Sequence, residues 1–187
     1  MKATNVPAVF AGVLAASFAG SLAADPVVGE KEIYLVSEGD SRIKVGSVRF
    51  EKEAQGSRYT LQFDEVKFAD HFLSMRPFKC LEGAQKHWCH VPYPYANRRQ
   101  VSASDLTDLE YDLLFLWKGA TEYGINMWNG VYYQLEIDGD RIVGTLREMD
   151  MEVLSAPPDE GNFRPISADD LHEADAASHW LPRLVIE

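Results

Sequence analysis

The sequence has 187 residues, of which 29 are acidic and 18 are basic, giving a formal net charge of −11 at pH 7. A chain this acidic repels phosphate backbones and anionic lipid surfaces, so we expect no nucleic-acid partner. Its length allows one domain to bury a hydrophobic core without a metal ion or an array of disulfides.

The first residues have the pattern of a secretory signal peptide. Lys2 supplies a positive charge, residues 6–19 form an apolar run, and Ser21 and Ala23 fit a signal-peptidase site. The apolar run is shorter than the roughly 20 residues that cross a bilayer, which argues against a membrane anchor. The sequence therefore predicts a signal peptide over residues 1–23.

Cleavage after that segment would leave residues 24–187, which we interpret as a single antiparallel β domain without an integral membrane span. The predicted location is outside the cytoplasm. It is periplasmic if the source is Gram-negative, and the protein is secreted otherwise.

The first part of this domain alternates between apolar and polar residues, as half-buried strands do. Residues 33–36 and 43–50 are predicted as two strands joined by a turn at residues 38–41. A third strand over residues 59–63 is followed by a change in the parity of the apolar side chains. That change predicts a β-bulge near residues 64–65.

The two cysteines, Cys80 and Cys89, are predicted to form a disulfide, because export brings them into an oxidising compartment. Closing a loop of about ten residues stabilises a fold by about 2.5–3 kcal/mol in the chain-entropy model. The alternative is a zinc site that adds His87 and His90. Structural zinc favours close Cys-x2–4-Cys pairs, and the sequence has none.

Two short helices are predicted from capping signals. Ser102 and Ser167 are each followed three residues later by Asp, which resembles a capping box. We expect helices over residues 103–110 and 168–176. Residues 111–117 between them are predicted as a strand that is apolar on both faces, with the helices covering its outer face.

A β-hairpin is predicted around residues 138–139, because Asp-Gly is a preferred type I′ turn. This turn would set Leu135 opposite Ile142 and Glu136 opposite Arg141. Both pairings are physically favourable, the first as apolar packing and the second as an ion pair.

These elements predict a mainly β fold of eight or nine strands and two short helices. The first expectation is a calycin-like antiparallel barrel, with a sandwich as the other form of the same class. The alternative is an α+β fold with one curved antiparallel sheet.

The predicted function is non-enzymatic binding of a small apolar or sugar-like ligand. Aromatic residues are concentrated around a glycine-rich loop, and three of them lie at or beyond strand ends, where they could line a barrel mouth. We therefore predict ligand contacts for Trp117, Tyr123 and Trp128. No cofactor is expected.

Two alternative functions remain open. An envelope structural or partner-binding protein would use the aromatic loop and an extended arm over residues 92–99, which prolines hold open and which carries two tyrosines. A metal-dependent enzyme would use His172, Asp175 and His179, which share a face if their segment is one continuous helix. The other interpretation of the same residues is a solvent-exposed acidic helix end, which implies no catalytic or metal-binding role.

Overall fold

The computed structural model describes residues 27–74 and 77–187. The predicted signal peptide over residues 1–23 lies outside the described residues. Within those two ranges, no helix combines the length and the apolar character that a membrane span requires.

The described chain is mainly β, as predicted, and its twelve strands outnumber the eight or nine expected. They are β1 (Gly29–Val36), β2 (Arg42–Lys52), β3 (Ser57–Phe63), β4 (Ala69–Phe72), β5 (Pro77–Leu81), β6 (Lys86–His90), β7 (Gln100–Val101), β8 (Phe115–Gly119), β9 (Gly130–Asp138), β10 (Arg141–Met149), β11 (Leu171–Glu173) and β12 (Arg183–Ile186). One α-helix, α1 (Thr107–Asp112), accompanies them. Short 3-10 helices span Glu65–Lys67, Met127–Asn129, Met151–Leu154, Ala168–Asp170 and Ala176–Ser178.

All the strands belong to one antiparallel sheet, and that sheet is open. The order is β4-β5-β6-β8-β9-β10-β12-β1-β2-β3-β7, with β11 attached to β10. A barrel needs a hydrogen-bonded ladder between its first and last strands, and over the described ranges β4 and β7 share none. The barrel prediction is therefore wrong. The edge strand β7 has only two residues and pairs with β3 alone.

The sheet is nevertheless strongly curved, and its two halves share one main core. Phe63 at the end of β3 lies 4.2 Å from the ring of His90 on β6 and 6.3 Å from the ring of Phe115 on β8, centroid to centroid. The main cluster of buried apolar side chains accordingly includes residues from β1 and β2 as well as from β8 and β9. A curved sheet or a sandwich describes this arrangement.

The first three strands occur as predicted, but the bulge lies elsewhere. Ile33 pairs with Gly46 and Tyr34 with Lys44, so the extra residue of β2 is Val45, which is fully buried. At the predicted position the chain instead forms the 3-10 helix Glu65–Lys67. The Asp64 side chain caps this helix by accepting a hydrogen bond from the Val66 amide.

Both predicted helices are wrong in extent. Helix α1 begins only at Thr107, whose amide donates to Asp105 Oδ1, and it includes Tyr111. The predicted strand over residues 111–117 therefore begins only at Phe115. A short apolar run that is buried on all sides is compatible with either a helix end or a strand. The spacing of apolar residues therefore could not distinguish the two in this segment.

The second predicted helix, over residues 168–176, stops after one turn. Its capping signal is present, because the Ser167 amide donates to Asp170 Oδ2 over 2.7 Å. The next three residues then pair with β10, with Leu171 opposite Met149 and Glu173 opposite Arg147. Sheet pairing overrides the local preference for a helix.

The predicted hairpin exists, but its register is two residues away from the prediction. Asp138 pairs with Arg141 and Leu135 with Gly144, so Gly139 and Asp140 form the turn. Gly139 has a φ of +66° and Asp140 has a negative φ. One positive φ at the first central residue is the type II′ pattern, whereas type I′ requires two.

The disulfide prediction is confirmed. Cys80 on β5 and Cys89 on β6 are direct cross-strand partners with Cα atoms 3.9 Å apart, and their sulfur atoms are bonded. Both side chains are fully buried. The thiolates that the alternative zinc site needs are therefore not available, and the bond joins the two strands of the hairpin that carries residues 82–87.

Candidate functional site

The three aromatic residues predicted to bind a ligand do not lie together. Tyr123 and Trp128, in the connection between β8 and β9, are 93% and 73% exposed. Trp117 on β8 is partly buried and packs against the main core. Since the sheet does not close, these residues have no barrel mouth to line, and their ligand contacts stay a prediction.

Trp117 instead belongs to an aromatic cluster at one end of the main core. The ring of His179 lies 5.9 Å from that of Trp117 and 5.4 Å from that of Trp88, centroid to centroid. Trp180 completes the cluster with its ring 6.4 Å from that of Trp88. The Lys86 ammonium lies over the Trp117 ring, 4.0 Å from its centroid, in a cation–π contact.

A surface cleft of about 420 Å³ opens beside this cluster. Three segments that are distant in sequence form it: the turn between β1 and β2, the loop between β5 and β6, and the segment before β12. Its lining consists of Ser37, Glu38, Gly39, Ala84, Gln85, Lys86, Ala177, Ser178, His179 and Trp180. This volume is in the range of small-molecule sites, and the lining combines one large aromatic face with several polar groups.

Direct contacts hold the walls of the cleft together. Lys86 Nζ donates a hydrogen bond to the Ser178 carbonyl over 2.7 Å, which links the β5–β6 hairpin to the segment before β12. Trp180 packs onto Gly83, where a side chain would collide with the indole ring. The 3-10 helix Ala176–Ser178, capped by the side chain of Asp175, sets the position of His179.

Several polar atoms at this cluster are buried without a partner. Trp117 Nε1, Trp180 Nε1 and His179 Nδ1 make no hydrogen bond within the described part of the chain. An unsatisfied buried polar atom costs about 1–3 kcal/mol, so three of them in one cluster are unusual. His179 and Trp180 line the cleft, whereas Trp117 lies behind its wall, in contact with Lys86 and His179.

The protonation of His179 follows from its surroundings. The side chain of His179 is fully buried, and this burial lowers the pKa of its imidazole, although the nearby Glu148 carboxylate acts in the opposite direction. His179 Nε2 lies 2.6 Å from Glu148 Oε1. A neutral ring that donates from Nε2 to Glu148 leaves Nδ1 as a hydrogen-bond acceptor.

The metal site predicted from the C-terminal segment does not form. His172 lies on β11, Asp175 caps a 3-10 helix and His179 follows it, so the three residues do not share the face of one helix. Among the described residues, the group that brings three potential ligand atoms within 4.8 Å of one another is a different one, His71, Glu82 and His87.

The buried acidic residues of α1 have structural roles. Asp108 accepts hydrogen bonds from Arg164 and from the Gln100 amide. Glu110 accepts from the Tyr132 hydroxyl and the Leu135 amide, and burial raises the pKa of its carboxyl. Glu110 therefore fixes α1 against β9, and Asp108 fixes it against β7 and Arg164.

The arm over residues 92–99 does not present its tyrosines to solvent. Tyr93 and Tyr95 are half-buried, and the ring of Tyr93 lies 4.8 Å from that of Tyr111. The Tyr95 hydroxyl donates to the Leu154 carbonyl over 2.7 Å. The two tyrosines therefore pack against their own chain, while the prolines and arginines of the arm are exposed, and its role in partner binding stays a prediction.

Sequence reasoning missed Trp180 and Lys86 as members of a site. A single tryptophan or lysine near a loop is only a weak indication of a binding site. What makes them a site is contact between segments almost 100 residues apart.

Comparisons of this chain with family models, with curated proteins and with solved structures found no match. The chemistry of the cleft is therefore the basis for a functional proposal.

Proposed function

We propose that this is an exported protein that binds a small sugar-like ligand in the cleft beside His179 and Trp180, without catalysing a reaction. The observation that carries the proposal is the lining of this cleft, which sets the Trp180 indole beside the polar side chains of Ser37, Glu38 and Gln85. A ligand with several hydroxyl groups matches these polar side chains.

The chemical class follows from the polar groups of the lining. Gln85 offers a donor and an acceptor, the Ser37 hydroxyl can do both, and the Glu38 carboxylate accepts. A hydroxyl group also donates and accepts, so neighbouring hydroxyls on one ligand can bond to several of these groups. An apolar ligand would take these groups away from water without replacing their hydrogen bonds, at a cost of about 1–3 kcal/mol for each.

The aromatic and polar parts of the lining support the same class. The indole of Trp180 offers a flat apolar surface on which the C–H face of a sugar ring can stack. Glu38, Gln85 and Ser37 supply further donors and acceptors around the rim. In this proposal Trp117 supports the wall behind Lys86, while Tyr123 and Trp128 make no contact with the ligand.

Export is supported by two independent features. The disulfide between Cys80 and Cys89 is the kind of bond that persists in oxidising compartments. Residues 1–23 have the composition of a signal peptide. We place the protein in the periplasm if its source is Gram-negative, and outside the cell otherwise.

A second candidate function is partner binding by the β8–β9 connection in an envelope protein. Tyr123 and Trp128 are large aromatic side chains that are largely exposed. Exposed aromatic residues are enriched where proteins bind one another. This candidate uses residues outside the cleft, so it can be tested separately.

The test is native mass spectrometry of the protein purified from its own host, followed by two tryptophan variants. Trp180→Ala should remove a bound small molecule, because the stacking surface is lost, at a cost of about 1–3 kcal/mol of binding free energy. Trp128→Ala is the matched control and should keep the ligand. Retention in Trp180→Ala together with loss in Trp128→Ala would overturn the assignment of the cleft.

A further inference from the structure

The β5–β6 hairpin carries a second group of chemically active side chains on the face opposite the cleft. The last pairs of this hairpin are Cys80–Cys89 and Leu81–Trp88, so Glu82 directly follows β5 and His87 precedes Trp88 on β6. Alternation gives Glu82 and His87 the same face as the disulfide. His71 on β4 has that face too, because Ala69, two residues earlier, pairs with Cys80.

The geometry of this group suits a metal ion. One ligand atom from each of His71, Glu82 and His87 lies within 4.8 Å of the other two. His71 Nε2 and Glu82 Oε1 are 2.9 Å apart, and the two imidazole centroids are 5.0 Å apart. Ligands of a tetrahedral zinc ion stand about 3.3 Å from one another, given metal–ligand distances of about 2.0–2.1 Å. Small side-chain rotations therefore bring the three atoms to coordination distance.

A second observation points to a ligand at this group. His87 is 8% exposed, and its Nδ1 atom is buried without a hydrogen-bond partner in the described ranges. At least one ring nitrogen of this buried imidazole is thus left for a metal ion, which binds neutral imidazole through either nitrogen. His71 is partly exposed and Glu82 is exposed, so a cation can reach the group from solvent.

One neighbouring charge opposes a cation. Lys118 on β8 pairs with His87 and is 4% exposed, and its ammonium donates to the Gly119 carbonyl over 3.0 Å. Burial lowers the pKa of His87, as does the positive charge of Lys118, while Glu82 and the Gly83 backbone act in the opposite direction. The Lys118 ammonium also favours an anion on the open coordination position of a bound cation.

We propose that His71, Glu82 and His87 bind one late first-row divalent cation, with Zn²⁺ as the probe, and leave its fourth coordination position open. Two imidazoles and one carboxylate are ligands that zinc accepts in an open tetrahedral site. The disulfide two residues away joins the strands that carry Glu82 and His87, and so limits the movement of two of the three ligands.

The test is a titration of the disulfide-bonded, EDTA-treated protein with ZnCl₂, followed by isothermal calorimetry. The wild type should bind one Zn²⁺ per chain. His87→Gln should weaken binding by at least about tenfold, the scale of effect seen when a metal site loses supporting groups. Glu82→Gln, on an exposed side chain that the fold tolerates, should weaken it in the same direction. His172→Gln on β11 is the control and should leave the titration unchanged.

Two further measurements distinguish this site from nonspecific zinc binding. Histidine ring signals in long-range ¹H–¹⁵N spectra should shift for His71 and His87 on addition of zinc, and those of His172 should not. Lys118→Met should tighten binding, because it removes the neighbouring positive charge. An absence of stoichiometric binding, or equal binding by the wild type and the Glu82→Gln variant, would overturn the proposal. Trp180→Ala should keep the zinc, so this result is independent of the sugar-binding cleft.

Discussion

Trp180 packs directly onto Gly83: a Cβ atom at Gly83 would stand 2.6 Å from Trp180 Cε2 and 2.4 Å from the Lys86 carbonyl oxygen. The absence of a side chain at position 83 therefore lets the indole lie against the hairpin loop. This contact joins the segment before β12 to the disulfide-bonded hairpin and shapes one wall of the cleft.

A methyl group at this position should disturb both the hairpin and the cleft. Gly83→Ala is expected to destabilise the fold by about 1–3 kcal/mol, the cost of inserting an atom into a packed contact. Thermal unfolding measures the change. Gly39→Ala is the matched control, since its Cβ would meet only Ser37 Oγ at 3.9 Å. Equal melting temperatures for the two variants would contradict the contact.

Breaking the disulfide should lower stability without abolishing the fold. The Cys80–Cys89 bond closes a loop with a sequence separation of 9, worth about 2.5–3 kcal/mol by chain entropy. The twelve-stranded sheet retains its core without it. Melting curves with and without a reductant, together with a Cys80→Ala/Cys89→Ala double variant, should show a lower but still cooperative transition. A reductant that leaves the melting temperature unchanged would argue against this contribution.

The turn between β9 and β10 depends on the backbone conformation of Gly139. Its φ of +66° is unfavourable for β-branched residues, and a Cβ there would have no neighbour within 4 Å. Gly139→Val should therefore cost about 1 kcal/mol or more through the backbone alone, measured by chemical denaturation. Asp140→Asn in the same turn serves as the control and should be close to neutral. A neutral Gly139→Val variant would show that the turn has another conformation.

Stability should fall as the pH is lowered below about 6.5, the ordinary pKa of histidine. Burial lowers the pKa of His87, His90 and His179 in the folded protein, so the unfolded chain binds protons first. The loss continues down to the folded-state pKa values and then levels off. His179→Gln should show a shallower fall between pH 8 and pH 5 in denaturation experiments. Parallel curves for the wild type and this variant would mean that His179 does not contribute.

Local sequence patterns predicted the elements that depend on local chemistry. The strands around residues 33–63 follow from alternation, and the disulfide follows from two cysteines in an exported chain. The predicted hairpin exists, but its strands pair two residues away from the predicted register. The sequence Asp138–Gly139–Asp140 allows a two-residue turn to start at either of two positions. In the structure Leu135 lies opposite Gly144, where it packs close to Leu184 of β12, and that contact between distant segments is not visible in the local sequence.

The long-range features could not be predicted in the same way. Whether a sheet closes depends on its last strands, and β7 is too short to leave a periodic signal. The cleft needs contact between residues near positions 38, 85 and 179, which no local pattern encodes. His71, Glu82 and His87 come together only through the register of three neighbouring strands, which the two cysteines alone do not determine.

The most direct test of the sugar-binding cleft is an NMR titration that follows the indole N–H signals of the four tryptophans. The probes are glucose, maltose and cellobiose, and Trp→Phe variants assign the signals. Trp88 donates its indole N–H to the Tyr133 hydroxyl over 3.0 Å and serves as a buried reference, while Trp128 reports on the exposed loop. We predict that at least one sugar moves the Trp180 signal progressively to saturation and leaves those of Trp88 and Trp128 in place. A Trp180 signal that stays fixed with every sugar, or a shift confined to Trp128, would contradict the proposed function.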